Sequence, residues 1–367
     1  MIGESVFHPQ YGPGVITAVF RSGSEWLVRF ESGLRFRRPR LEFEGQTPLH
    51  AERTDPQASL TQPVQTFELP LMAESQYDAR QLIEALRVGI APARHAEELT
   101  VGLNDERTRL VDGLNRAHSE GGAAFAVIGD YGFGKTHLVE LSAQEGLRRN
   151  FLVAATSLDL LELPPHRSFD IYGSLMRNLR YPDTDERGLG PLLAAATARP
   201  RVREQMMALT DVENDPLSVG LYAYANTASS RKQQAWADWL MGGRRVKRMN
   251  RGAPPKIKFP SIYRVGHNAR QIAYMLSGMS VLARLAGYSG LCVLIDEAES
   301  YSLLLPYQRP KASLFFAAVT YAALQERQAQ IQPEAFPQHR FRDYPLAYSD
   351  RQSLFFLFTV TRSDQGM

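Results

Sequence analysis

Eight consecutive residues, Gly129-Asp130-Tyr131-Gly132-Phe133-Gly134-Lys135-Thr136, carry the spacing G-x-x-x-x-G-K-T. Glycines at these positions let main-chain N–H groups curl around an anion, and a helix that follows points the positive end of its dipole at it. The chemistry is the binding of a nucleotide's phosphates. In that role Lys135 reaches the β and γ phosphates and the Thr136 hydroxyl ligates Mg²⁺. The apolar run Ala123–Ile128 precedes the loop and the helix-like His137-Leu-Val-Glu-Leu-Ser follows it. An ordinary glycine-rich turn with an exposed lysine has no need of that strand-loop-helix context. Gly129, Tyr131, Gly132, Phe133, Gly134, Lys135, Thr136 and His137 are therefore the candidate phosphate-side residues.

Two acids far downstream complete the same chemistry. Leu291-Cys-Val-Leu-Ile-Asp296-Glu297 is a continuous apolar run that ends in carboxylates. It reads as a buried parallel strand delivering them to the carboxyl edge of a sheet. Asp296 is the candidate metal residue beside Thr136, and Glu297 the candidate that orients and polarises an attacking water. Glu299 reads instead as a solvated residue opening the next helix. A third run, Leu354-Phe-Phe-Leu-Phe-Thr359-Val-Thr361, predicts a further strand. In ATPases with an extra strand between the two phosphate motifs, such a strand ends in a polar residue that senses the γ phosphate. Thr361 is the first candidate for that catalytic role and Thr359 the second, against the alternative that either only satisfies a backbone group.

The elements that must position these residues need a sizeable core, and the chain supplies one. It has 367 residues, 44% of them hydrophobic, enough for two domains and too many for a disordered protein. The single cysteine, Cys292, excludes an internal disulfide and a thiolate cluster, and its place in the apolar run reads as packing. No apolar stretch approaches the roughly 18 residues of a membrane span, and the N-terminus has no signal pattern, so the expected compartment is the cytoplasm.

Net charge is only +3, but its distribution is uneven. Between Trp239 and Ile295 no acid occurs, while Arg244, Arg245, Lys247, Arg248, Arg251, Lys256 and Lys258 crowd into a Gly/Pro-containing stretch. Such a stretch fits double-stranded DNA, bound through its phosphates with salt-sensitive, largely sequence-independent affinity. An acidic protein partner and plain solvation are the alternatives.

The first residues read as short strands, Ser5–Phe7, Gly14–Phe20, Glu25–Phe30 and Leu34–Phe36, punctuated by Gly12-Pro-Gly14, Ser22-Gly-Ser24 and Ser32-Gly33. The spacing suits a small β-barrel over residues 1–46. Its H-P-x-Y-G-P-G-V-I pattern and the later V-R-F-E-S-G-L resemble the Tudor-like (SH3-like) barrels of CarD-type transcription regulators and some helicases. That resemblance implies docking of proteins. Arg35, Arg37, Arg38 and Arg40 give the barrel a basic edge, suited to DNA or to protecting an edge strand. Residues 47–75 are rich in Pro, Thr, Gln and Ser and read as a linker.

Helical spacing resumes at Tyr77–Leu86 and at Asp105–Ala117, where Asn104 is a plausible N-cap. Ala85-Leu-Arg-Val-Gly-Ile-Ala-Pro92, Leu99-Thr-Val-Gly102, the glycine loop and Val293-Leu-Ile-Asp-Glu-Ala-Glu299 together resemble the ATP-binding protein family of BREX phage-defence systems. The resemblance spans about residues 76–367. It implies an AAA+-like α/β P-loop NTPase of the ASCE type, with a three-layer core, an antiviral role, and ATP and Mg²⁺ as cofactors. By the same resemblance Val101 and Gly102 line the adenine or ribose side. The N-terminal barrel is not part of the usual family core. Proteins of this class also continue into a helical lid beyond the sensor strand, whereas this sequence ends at Met367. Turnover by this chain alone is thereby in question.

Between the glycine loop and the acidic strand, Phe151–Asp159 reads as a strand, with helices expected over 171–179, 189–211, 216–242 and 269–286. A helical insertion of about 185–270 would carry the basic stretch. The leading expectation is a Mg²⁺-dependent ATPase or ATP-controlled switch in anti-phage defence, acting on DNA or a DNA-bound complex as a homo-oligomer. Arg309, Arg340, Arg342 or Arg351 could reach a neighbour's site. The alternative is a nucleotide-dependent scaffold that assembles other defence proteins through the barrel with little turnover. A kinase would use the same loop but ordinarily lacks the distant Asp-Glu strand.

Overall fold

The computed structural model describes residues 3–8, 12–20, 24–30, 35–39, 43, 74–87, 96–243, 260, 262, 268–325, 332–339 and 342–362. The seven basic residues from Arg244 to Lys258, Arg40, Arg340 and the 47–73 stretch lie outside them. The chain divides into two compact units, Met1–Leu71 and Met72–Met367.

In the first unit, β1 (Ser5–His8), β2 (Gly12–Phe20), β3 (Glu25–Phe30) and β4 (Arg35–Pro39) form an antiparallel sheet in the order β1-β2-β3-β4. Alternation explains its one-sided core. Trp26, Val28 and Phe30 of β3 are buried with Ile16 and Phe43, and the residues between them face outward. The register slips between Ile16 and Ala18, a bulge that twists β2. No pairing among the described residues joins β1 to β4, so the expected barrel is described only as this sheet.

The second unit is built on a five-stranded sheet: β5 (Gly122–Gly129), β6 (Phe151–Ser157), β7 (Leu179–Arg180), β8 (Gly290–Asp296) and β9 (Leu354–Thr361), in the order β5-β9-β8-β6-β7. All pairings are parallel except that of the two-residue β7. The last strand in sequence thus lies between the first and β8. Two strands read from continuous apolar runs, β8 and β9, are central and buried on both faces.

Period-2 alternation sorts their side chains into two cores. Phe151 and Val153, Cys292 and Leu294, Phe355 and Leu357 face α2 (Asn104–Glu120) and α3 (Lys135–Arg148). Leu152 and Ala154, Leu291 and Val293, Leu354 and Phe356 face the other way, into the larger core. That core includes residues of α4 (Ser168–Arg177), α5 (Gly190–Thr197), α6 (Val202–Met207), α7 (Pro216–Ala225), α8 (Ser230–Leu240), α9 (Ala269–Ala286) and α10 (Arg309–Leu324). The result is helix, sheet, helix. Another helix, α1 (Glu74–Arg87), precedes α2. Cys292 is fully buried and burial pushes its thiol pKa up, as a packing residue requires.

The element boundaries depart from the sequence reading where local chemistry interrupts a pattern. Residues 189–211 form two helices, because Pro200 disfavours helix at the residue before it and Arg201 turns left-handed with φ of 59°. The 216–242 stretch is likewise split between α7 and α8 by Asn226-Thr-Ala-Ser229. α7 starts where Asp215, buried, accepts hydrogen bonds from the Leu217 and Ser218 amides. Asn104 is the first residue of α2 rather than its cap. The cap position is Leu103, which supplies no side-chain bond.

Candidate functional site

The glycine loop leaves β5 at Gly129 and enters α3 at Lys135. Gly132 and Gly134 have φ of 82° and 77°, a region costly for residues with a Cβ. No atom stands within 4 Å of where a Cβ would be at either, so open space faces the loop there. Gly134 caps α3, no side chain caps the helix, and its first turn contains no acid. The first amides of α3 therefore keep their anion-binding capacity. Lys135 Nζ folds back to donate to the carbonyls of Gly129 and Asp130, at 3.2 and 2.9 Å. An ammonium held over the loop in this way fits a phosphate group. Tyr131 and Phe133 are 93% and 75% exposed, so their side chains are presented outward from the loop.

His137, in the first turn of α3, makes a 2.7 Å hydrogen bond between Nε2 and Thr100 Oγ1. The Thr100 hydroxyl proton is already given to the Ala96 carbonyl at 2.6 Å, so His137 is the donor. His137 thus ties the segment containing Val101 and Gly102 to α3. Val101 is 89% exposed beside it and Gly102 takes φ of 77°. An ion network reinforces that tie. Glu145, buried on α3, accepts from Arg107 Nε of α2 at 2.8 Å and is also paired with Arg148 and Arg149. Arg107 reaches Glu97 at 2.6 Å, and Arg148 bonds Glu97 as well.

Strand register assembles the rest. β9 pairs with β5 so that Thr361 stands opposite Gly129, and the Arg362 amide donates to the Gly129 carbonyl at 3.3 Å. β8 pairs with β9 through Ile295 and Phe358, and with β6 so that Asp296 stands opposite Ser157. Asp296 is buried, and its Oδ1 accepts the hydroxyl proton of buried Thr359 and the Glu297 amide, the latter at 3.0 Å. The Glu297 amide also reaches Thr359 Oγ1 at 3.1 Å. Glu297 itself is exposed and left-handed, with φ of 59°.

Thr361 and Thr359 therefore take different places. Thr361 ends β9 beside the glycine loop, where its hydroxyl donates to Glu299. Thr359 serves Asp296. Glu299, read from sequence as a solvated helix opener, is instead half-buried on the 3₁₀ turn Ala298–Leu303 that follows β8. No local signal could have found that contact, because its partners are 62 residues apart. Asp159, just past β6, spends its carboxylate on the amides of Leu161, Glu162 and Leu163, which hold its pKa down; it is a turn residue.

Of the arginines considered for a neighbour's site, Arg309 donates to the Leu304 carbonyl at 3.0 Å. Arg342 donates to the carbonyls of Glu213 and Asn214 at 2.6 and 3.1 Å, and Arg351 is exposed. Arg342 and Arg351 line a cavity of about 1040 Å³ that includes residues 349–351, on the chain entering β9. That end of the strand is opposite the glycine loop. Among the described residues no three His, Cys, Asp or Glu side chains converge as a metal cage. A Mg²⁺ carried on nucleotide phosphates needs only one or two protein ligands, so the lack of such a cage does not bear on it.

A glycine loop after one strand, acids after another and a third parallel strand between them are consistent with a P-loop NTPase-like core. Residues 75–195 match the family described as BREX system ATP-binding protein BrxC/D. The resemblance seen in the sequence is thus shown over a stretch that contains the glycine loop and stops before the acidic strand. No curated protein matched the chain. No solved structure matched it either.

Proposed function

We propose that the chain is a Mg²⁺-dependent ATPase or ATP-controlled switch of a phage-defence system. The observation that carries this reading is the meeting of three strand ends. Uncapped α3 amides and Lys135 lie after β5, Asp296 ends β8 with Glu297 next to it, and Thr361 ends the strand between them. The first group binds and orients phosphates. Thr136 and Asp296 would hold Mg²⁺, which neutralises phosphate charge when bound. Glu297, exposed at the strand's end, orients the attacking water and accepts its proton. Tyr131, Gly129, Gly132, Phe133, Gly134 and His137 shape the phosphate side, with Val101 and Gly102 toward the base. The family's printed description as ATP-binding supports ATP as the nucleotide.

Large apolar side chains on the loops around this site support assembly with other subunits or partners. Tyr131, Val101, Leu161, Leu303 and Tyr307 are 93, 89, 89, 70 and 67% exposed, and a partner that covered them would bury this apolar area. The same observation favours a second reading, a nucleotide-dependent scaffold with little turnover. DNA as the target rests on the sequence from Arg244 to Lys258 and on its salt-sensitive phosphate chemistry. No helix among the described residues is long and apolar enough to cross a membrane.

The test is ATP hydrolysis with and without double-stranded DNA, with oligomeric state measured alongside, in the wild type, Glu297→Gln and Lys135→Ala. The ATPase reading expects turnover lost in Glu297→Gln with ATP binding kept, and binding lost in Lys135→Ala. Tight ATP binding with no turnover in any condition would select the scaffold. Unchanged ATP binding in Lys135→Ala would reject the site.

A further inference from the structure

The contact between Thr361 and Glu299 poses a problem for the residue expected to sense a γ phosphate. A threonine hydroxyl has one proton to donate. Here the Thr361 proton goes to Glu299 Oε1. Strand register puts Thr361 opposite Gly129, the loop's first residue, and Lys135 Nζ is 3.2 Å from that same residue's carbonyl. The hydroxyl is thus beside the phosphate site but committed to a carboxylate. Glu299 is not loosely placed. It follows buried Ala298 on the 3₁₀ turn after β8, and its Oε2 is shielded from solvent.

We propose that Glu299 is a positioning residue that holds the Thr361 hydroxyl and yields it only to a γ phosphate, so that it sets the balance between ATP and ADP. The inference rests on the nucleotide reading of the site. Its logic is exclusion. A phosphate oxygen can accept the Thr361 proton only after Glu299 gives it up, and an anionic carboxylate near an anionic phosphate opposes the same event. ADP has no group that reaches past the β phosphate to Thr361, so its binding leaves the contact in place. Glu299 therefore costs ATP affinity and costs ADP nothing. In return the site couples γ phosphate arrival to release of the turn that follows the acidic strand. That release gives the 3₁₀ turn two states, contact made and contact broken, selected by the nucleotide.

Calorimetric affinities for ATP and for ADP, both with Mg²⁺, test this in wild type, Glu299→Ala, Glu299→Gln, Thr361→Val and Glu299→Ala with Thr361→Val. Glu299→Ala is expected to tighten ATP about tenfold, the scale of one charge-assisted hydrogen bond, and to leave ADP unchanged. Glu299→Gln keeps an acceptor for Thr361 without the charge, so its gain in ATP affinity is smaller. Thr361→Val lowers the ATP-to-ADP preference, and adding Glu299→Ala to it gains less than Glu299→Ala gains alone, because the part of the Glu299 effect that runs through the shared proton is already gone. Equal changes in ATP and ADP for the Glu299 variants, or an additive double variant, would overturn the proposal while leaving the nucleotide site standing. Failure of the wild type to bind either nucleotide would overturn both readings together.

Discussion

Thr359 and Asp296 are locked together across neighbouring strands: the threonine hydroxyl donates to Asp296 Oδ1, and the Glu297 amide reaches both side chains, at 3.1 and 3.0 Å. Thr359 is fully buried. This buried triangle fixes the orientation of the carboxylate assigned to Mg²⁺ and the backbone turn that carries Glu297. Thr359→Val keeps the shape and removes the hydroxyl. A hydrogen bond to a charged group is worth about 1.5–3 kcal/mol, so turnover is expected to fall roughly ten- to a hundredfold. Phosphate binding through Lys135 should change much less. Steady-state hydrolysis against Mg²⁺ concentration, with ATP affinity measured separately, checks this; equal losses in affinity and turnover would assign Thr359 to general stability instead.

Glu297 adopts φ of 59° although it has a Cβ and lies at the surface, where packing gives it no return. A left-handed non-glycine residue costs about 1–2 kcal/mol, and sites that tolerate such a cost are often functional. Glu297→Gly removes both the strain and the carboxylate. The expected outcome is a melting temperature equal to or a few degrees above that of the wild type, with ATP turnover abolished. Loss of several degrees on this exposed substitution would contradict the strain assignment.

Much of this site is legible in the sequence because its parts are local. The glycine loop is contiguous, and β8 and β9 announce themselves as apolar runs ending in acids and threonines. What was not legible is pairing across distance. Thr361 and Thr359 look alike two residues apart on the same face of one strand, but their different heights along it give one to Glu299 and the other to Asp296. Glu299 reads as solvated because its partner is 62 residues away. Helix interruptions were missed where a periodic pattern ran through Pro200 and Asn226-Thr-Ala-Ser229, since apolar spacing can continue across a break in the backbone.

Gly113 shows the same dependence on distant neighbours. It sits inside α2, where glycine costs the helix about 1 kcal/mol relative to alanine. A Cβ there would lie 2.3 Å from Phe125 Cε2 and 2.9 Å from Phe355 Cε2, two rings of adjacent strands whose centroids are 5.6 Å apart. Close approach of helix to sheet is the reason for the glycine. Overpacking costs typically about 1–3 kcal/mol, enough to exceed the propensity gain. Gly113→Ala should therefore lower the midpoint of urea unfolding without changing its slope. A rise in the midpoint would mean that the rings yield freely.

Glu97 offers a test of how the Val101–Gly102 segment is held. Hydrogen bonds from Arg148 and then Arg107 hold its carboxyl at about 2, against 4.5 for an ordinary glutamate. A lowered folded-state pKa means that the unfolded chain binds more protons in the interval between those values. The Glu97 contribution is thus fully present above about pH 4.5 and is lost as the pH falls toward 2. Glu97→Gln removes it at every pH. Melting temperatures of the two proteins should differ at neutral pH, and the gap should close as the pH is lowered through that interval. Acid losses from other carboxylates are common to both curves and drop out of the difference. Glu97 is 39% exposed, so the gap is also expected to shrink in about 1 M salt, where charges at the surface are screened within a few ångströms. A gap that stays constant down to pH 2 would mean that Glu97 acts through packing, and that buried Glu145 alone, with its three arginines, anchors α2 to the phosphate helix.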